Sequence, residues 1–190
     1  EISWIRGFIW MKVIAIFGEP GSGKSTLMKR LLDEVGISRE VKTDVKLVPY
    51  HNKDNIYVLG KYEEGEVFGG TDKMSMAVQP EAVKFLASRA ATDIVLFEGD
   101  RLCTGSFLEE CVDKYDTSIV YLQTTKETRN VRYAERGSNQ DETWLKGRES
   151  KINNIRSNFV LQMEMTEFLN ESFDDQQKII DFIKKMLYTD

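Results

Sequence analysis

The stretch "MKVIAIFGEPGSGKST", residues 11–26, constrains the fold of this 190-residue chain more than any other. Gly18, Gly23, Lys24 and Ser25 follow the spacing G-x-x-x-x-G-K-[ST]; backbone N–H groups in that pattern cradle phosphates, the lysine reaches the terminal phosphates and the hydroxyl meets Mg²⁺. The run before it, "KVIAIF", is apolar and β-branched rather than alternating, which predicts a parallel strand buried on both faces. After it, Leu27, Met28, Leu31, Leu32 and Val35 recur at helical spacing, so a helix opens at Lys24–Ser25 with its free N–H groups turned towards the loop. An anion belongs at such a helix start. Gly18, Gly21, Ser22, Gly23, Lys24, Ser25 and Thr26 are therefore the expected nucleotide-binding residues. Lys24 would act on the transferred phosphate, Ser25 would ligate Mg²⁺, and Thr26 would be a bystander donor.

The rest of the chain alternates strand-like and helix-like runs, the signature of an α/β fold with a parallel central sheet between helical layers. "DVKLVPYHNKDNIYVLGKY" reads as a hairpin-like pair leading away from that sheet, with His51 exposed in its turn. "EEGEVFGGTDKMSM" is a glycine-rich, polar and so functional loop. A helix is expected from about Pro80 to Ala91, a buried strand at "DIVLFEGD", a short helix at "SFLEECVDKY", a strand at "TSIVYLQT" and an amphipathic closing helix at "QQKIIDFIKKML". The length suits one domain, taken as 11–190. Residues 1–10, "EISWIRGFIW", are set aside as an extension that is not native to that domain, the alternative being an extra N-terminal strand.

Composition narrows the partners. A net charge of −5 argues against a general nucleic-acid binder, whose affinity rests on excess Lys and Arg. No apolar run approaches the roughly 20 residues of a membrane span, so no membrane partner is expected. Cys103 and Cys111 lack a metal-ligand spacing and read as free thiols of a cytoplasmic protein.

Two further stretches carry chemistry. "IVLFEGDR" delivers Glu98 and Asp100 to the carboxyl edge of a strand, where open α/β sheets bind ligands. A carboxylate there can hold Mg²⁺ or take a proton from an attacking hydroxyl. Glu98 is the expected metal ligand, while Asp100, or Asp72 in the loop sequence "GGTD", would orient an acceptor hydroxyl. In residues 126–156, eight Lys/Arg stand against five Asp/Glu, a net of +3. Arg129, Arg132 and Arg136, three and four apart, share one helical arc. Gly137 stops that helix, and on the next one Trp144, Ile152, Ile155 and Phe159 share a face that also carries Arg148, with Lys151 at its edge. A guanidinium on a face that should be buried must find an anion, a phosphate or an acid at the edge of the core.

In this order of parts the chain resembles the P-loop kinases of the nucleoside and nucleotide kinase group over about residues 11–187. "GSNQDETWLKGRESKI" and "GKYEEGEVFGGTD" are similar to small phage-type P-loop kinases, some of which phosphorylate a hydroxymethylated base within DNA. The resemblance implies a three-layer P-loop NTPase fold, ATP and Mg²⁺ as cofactors, and a lid whose arginines, Arg129, Arg132 and Arg136, act in catalysis; Arg148 joins them if the anion that its buried face demands is a phosphate. The acceptor would be a nucleoside- or nucleotide-like small molecule, with a base in DNA as the alternative and a non-catalytic nucleotide-binding module as the alternative of another class. "NKDN" fails the guanine-binding pattern of a GTPase at its last position.

Overall fold

The computed structural model describes residues 10–66 and 69–189. Residues 1–9, assigned above to an extension, 67–68 in the glycine-rich loop and 190 at the end of the expected domain lie outside the described residues. The chain runs β1 (Lys12–Gly18), α1 (Lys24–Val35), β2 (Lys42–Val45), β3 (Val48–Lys53), β4 (Ile56–Leu59), a 3-10 turn (Thr71–Lys73), α2 (Val78–Ala87), β5 (Ile94–Glu98), α3 (Gly105–Lys114) and β6 (Asp116–Gln123). It continues through α4 (Lys126–Glu135), α5 (Glu142–Arg156), α6 (Phe159–Gln162), β7 (Met165–Leu169) and α7 (Phe173–Tyr188).

One seven-stranded sheet has the order β2-β3-β4-β5-β1-β6-β7. Its five strands from β4 to β7 are mutually parallel, and β3 runs antiparallel between β2 and β4. Alternate residues of β1 feed two cores, as a strand buried on both faces must. Val13, Ala15 and Phe17 pack with α2, α3 and α5 on one side, and Ile14 and Ile16 with α1 and α7 on the other. The three-layer α/β expectation is met. β1 lies between β5 and β6, so the strand order reverses there, and a crevice opens beyond its carboxyl end.

The hairpin is the first correction. β3 and β4 turn at Asp54 and do not lead away from the sheet, because β4 pairs in parallel with β5, Ile56 beside Ile94 and Val58 beside Leu96. Ile56, Val58 and Leu59 are buried, and an apolar strand of this kind stays in the core rather than projecting into water. His51 is accordingly a fully buried residue of β3, not an exposed turn residue. α2 starts at Val78 and stops at Ala87, and Pro80 still falls in the first turn, where a missing N–H costs no helical bond. α5 ends at Arg156. Asn158 then caps the separate α6 by accepting from Val160 and Leu161, which leaves Phe159 off the α5 face and 76% exposed.

Candidate active site

The loop between β1 and α1 is shaped by residues without side chains. Gly21 and Gly23 have φ of 80° and 89°, a region that favours glycine. At Gly18 a Cβ would meet Ser22 Oγ at 2.6 Å and the Leu122 carbonyl at 2.8 Å, so the strand edge admits only glycine. Helix α1 follows with Gly23 as its N-cap and no side-chain cap, leaving its first N–H groups to an anion. Lys24 folds back over the loop and donates to the carbonyls of Gly18 (2.8 Å) and Glu19 (3.0 Å). Desolvation lowers its pKa below the ordinary lysine value, against the attraction of Glu98, Asp72 and Asp100.

Glu98 ends β5 directly beside the loop, 3% exposed. Its Oε1 accepts from the Tyr62 hydroxyl at 2.9 Å and from Ser25 Oγ at 3.4 Å, and burial pushes the carboxyl up to about 7. Tyr62 is itself fully buried, and its N–H donates to His51 Nε2 at 3.0 Å, while His51 Nδ1 faces the Ser38 carbonyl at 3.2 Å. That pairing requires the neutral tautomer protonated on Nδ1. The segment after Tyr62 returns through a bridge between Lys61 and Gly70, and a Cβ at Gly70 would collide with Glu98 Oε1 and the Tyr62 hydroxyl. Thr71 donates to the Glu98 carbonyl, and the 3-10 turn that it opens presents Asp72 to the cavity.

The cavity holds about 340 Å³. The loop and Ser25 form one end, Asp72, Glu98, Asp100 and Arg101 one wall, and Trp144, Arg148, Lys151, Ile152 and Ile155 of α5 the opposite wall. Arg148 pairs with Asp100 and lies 4.9 Å over the Trp144 ring, while Lys151 donates to the Asp100 carbonyl at 3.0 Å, so α5 is tied to the end of β5. Asp72 has no hydrogen-bond or ion-pair partner among the described residues; desolvation and then Asp100 hold its carboxyl above the usual range.

The three arginines of α4 separate. Arg136 at its C-cap lines the cavity and has no polar partner among the described residues. Arg129 pairs with Glu19 at 2.6 Å, and Arg132 donates to the carbonyls of Gly21 (2.9 Å) and Asn170 (2.8 Å). Thr26 is exposed at the helix start, and Ser22 is buried beneath the loop. Three contributors were not legible in the sequence. Tyr62, Tyr133 and Asn170 reach the site from distant segments through single hydrogen bonds, and no spacing announces them.

The sequence model of the family P-loop Nucleotide Kinase3 matches residues 9–167. The chain belongs to this P-loop nucleotide kinase family. It is a nucleotide-binding phosphotransferase, a kinase, which removes the non-catalytic alternative. No curated protein matches it. Similar solved structures include a gluconokinase from Sinorhizobium meliloti 1021, at TM-score 0.54 and 14% identity, covering 95% of this chain and 98% of that one. Another is deoxyadenosine kinase from M.mycoides with bound dATP, at TM-score 0.53 and 14% identity, covering 93% and 100%. A third is shikimate kinase from Acinetobacter baumannii in complex with shikimate, at TM-score 0.50 and 16% identity, covering 96% of each chain. At these identities the likeness is one of fold.

Proposed function

We propose that this P-loop nucleotide kinase, acting as one domain over residues 11–190, transfers the γ-phosphate of ATP, with Mg²⁺, to a hydroxyl of a small nucleoside- or nucleotide-like acceptor. The observation that carries the reading is the cavity of about 340 Å³ lined by the phosphate loop and by Asp72, Glu98 and Asp100, a volume suited to a small molecule rather than a duplex. Trp144 and Ile152 supply an apolar, aromatic wall for a ring, and Arg101, Arg136 and Lys151 supply cations for phosphates.

The residues fit Mg²⁺. Among the described residues no cluster of three or more His, Cys, Asp or Glu could cage a metal, but Glu98 and the Ser25 hydroxyl stand 3.4 Å apart, and Glu98 is buried with no ion-pair partner. Mg²⁺ suits one carboxylate and one hydroxyl, completing its shell with substrate phosphates and water. When bound, it would neutralise charge developing on the phosphate oxygens. Lys24 would leave the loop carbonyls for the β/γ-phosphates, and Arg136 would close on the transferred group. Arg129 and Arg132 act from the loop side. Asp72 is favoured over Asp100 for orienting the acceptor hydroxyl, since Asp100 is neutralised by Arg148 while Asp72 is unpaired among the described residues, with a raised pKa. The buried free thiols Cys103 and Cys111 suit a reducing, cytoplasmic setting, and no described helix is long and apolar enough to cross a membrane.

Transfer of label from ATP to free nucleosides, nucleotides and hydroxymethylated oligonucleotides, at two salt concentrations, tests the acceptor. Label is expected on a free nucleoside or nucleotide with little salt dependence. Label on the oligonucleotide alone, falling steeply with salt, would replace the acceptor and keep the transfer chemistry. Asp72→Asn is expected to lower kcat on the order of 10²-fold with ATP affinity unchanged. A variant with wild-type kcat would remove Asp72 from the chemistry.

A further inference from the structure

Every carbonyl from Gly18 to Ser22 accepts a hydrogen bond, the Glu19 carbonyl also from the loop's own Ser22 N–H at 3.0 Å, and the side-chain donors fall into two groups. Lys24 serves Gly18 and Glu19, and must let go when its ammonium turns to a phosphate. The next three carbonyls are held from outside the loop. The Tyr133 hydroxyl donates to Pro20 O at 2.5 Å, Arg132 Nη1 to Gly21 O at 2.9 Å and Asn170 Nδ2 to Ser22 O at 2.7 Å. Asn170 is 2% exposed and lies so close beneath Gly23 that a Cβ there would stand 2.6 Å from its Nδ2. Its own carbonyl accepts the second Arg132 nitrogen at 2.8 Å and its N–H continues the β6–β7 ladder to Gln123 O at 2.9 Å. Two of the three donors, Arg132 and Asn170, are absent from the cavity lining, so they work behind the loop.

We propose that Arg132, Tyr133 and Asn170 are positioning residues that hold the phosphate loop in its anion-binding shape before nucleotide arrives. In a planar peptide the carbonyl of one residue and the N–H of the next point opposite ways. Holding Ser22 O against Asn170 therefore turns the Gly23 N–H to the other edge of the loop, and holding Pro20 O does the same for the Gly21 N–H. A loop with glycines at 18, 21 and 23 has much conformational freedom to lose, and ordering it in advance removes that cost from binding. Glu171 accepts from Thr125 N–H and Thr128 Oγ1, so the start of α4 is fastened to the residue after Asn170 as well.

The proposal rests on nucleotide binding at this loop. Binding of ATP and of ADP to the full chain is measured by calorimetry at 10 °C, for the wild type and for Asn170→Ala, Tyr133→Phe, Arg132→Lys and Arg132→Met. Asn170→Ala is expected to raise both dissociation constants about tenfold or more, and Tyr133→Phe several-fold, with the acceptor KM within twofold of wild type. Arg132→Lys is expected to behave like Arg132→Met, because the guanidinium gives each carbonyl its own nitrogen in one rigid plane, a geometry that the shorter, single-nitrogen lysine head does not reproduce. Wild-type dissociation constants in both folded Asn170→Ala and Tyr133→Phe, whatever their melting temperatures, would reduce the clamp to a stabilising contact and overturn the proposal. Full affinity in Arg132→Lys with loss in Arg132→Met would make Arg132 a charge for phosphate instead. If Asn170→Ala does not fold, Tyr133→Phe decides alone. A wild type that binds neither nucleotide would overturn the nucleotide-site reading itself, an outcome distinct from the failure of the clamp.

Discussion

A carboxylate buried with two hydroxyls and no ion pair is costly to ionise, and among the described residues Glu98 sits in that position, its carboxyl pushed up to about 7 by burial. Its folded pKa lies above its unfolded value near 4.5, so the group contributes stability below pH 4.5 that is lost as the pH rises through 7. Glu98→Gln keeps an acceptor for Tyr62 and removes the charge. In metal-free buffer the variant is expected to be more stable than wild type at pH 8, by at most about 3 kcal/mol, with the difference shrinking towards pH 5. Urea unfolding at the two pH values checks the sign, and a variant less stable than wild type at pH 8 would show that Glu98 is not a strained carboxylate. His51 has the opposite sense. Burial lowers its pKa, so protonation below pH 6.5 weakens the fold and loosens the support of Tyr62 under Glu98.

Helix α5 meets the sheet through Ile152 and Ile155, which are buried, and meets the site through Arg148 and Lys151. The Arg148–Asp100 side chains remain 27% and 34% exposed, so solvent screens the pair and its worth to stability is small. Its effect belongs to the placement of one cavity wall against the other. Arg148→Met retains the stem on Trp144 and frees Asp100. Unfolding free energy is expected to change by less than about 1 kcal/mol while kcat/KM for the acceptor falls on the order of tenfold. Unchanged kinetics with raised stability would identify Arg148 as a desolvated charge without a role in the site.

At the scale of the whole molecule, α1 and α7 cover one face of the sheet and α2, α3 and α5 the other, while the ligand crevice opens at the edge where β1 meets β5 and β6. Nucleotide bound at that crevice would stabilise the native state by mass action. MgATP at 100 times its dissociation constant is expected to add about 2.7 kcal/mol, which for a chain of this length raises Tm by roughly 5–10 °C. Lys24→Ala should abolish turnover and most of that shift while leaving the ligand-free Tm close to wild type, because Lys24 spends its hydrogen bonds on loop carbonyls rather than on the core. A full shift in Lys24→Ala, followed by calorimetry, would move the nucleotide away from this loop.

The strand–loop–helix around Gly18–Ser25, the parallel sheet and the acidic strand end were legible because each is local. Apolar runs, glycines at fixed spacing and helical periodicity act over a few residues and point to one answer. The sequence by itself thus determined the fold class, the glycine loop between β1 and α1, and the acidic end of β5 at Glu98. What it left open depends on partners far apart in the chain. β7 has only a weak signature in the sequence, because it is an edge strand of partly exposed residues, yet it delivers Asn170 to the loop. The hairpin's place in the sheet is not legible locally, because burial of β4 requires β5, whose position beside it is a matter of topology. Arg129, Arg132 and Arg136 look alike on a helical wheel, and only the tertiary structure divides them into a partner for Glu19, a clamp on the loop and a cation in the cavity. Periodicity gives the direction of a side chain on its own helix, whereas the atom it reaches is set by whatever the fold packs opposite.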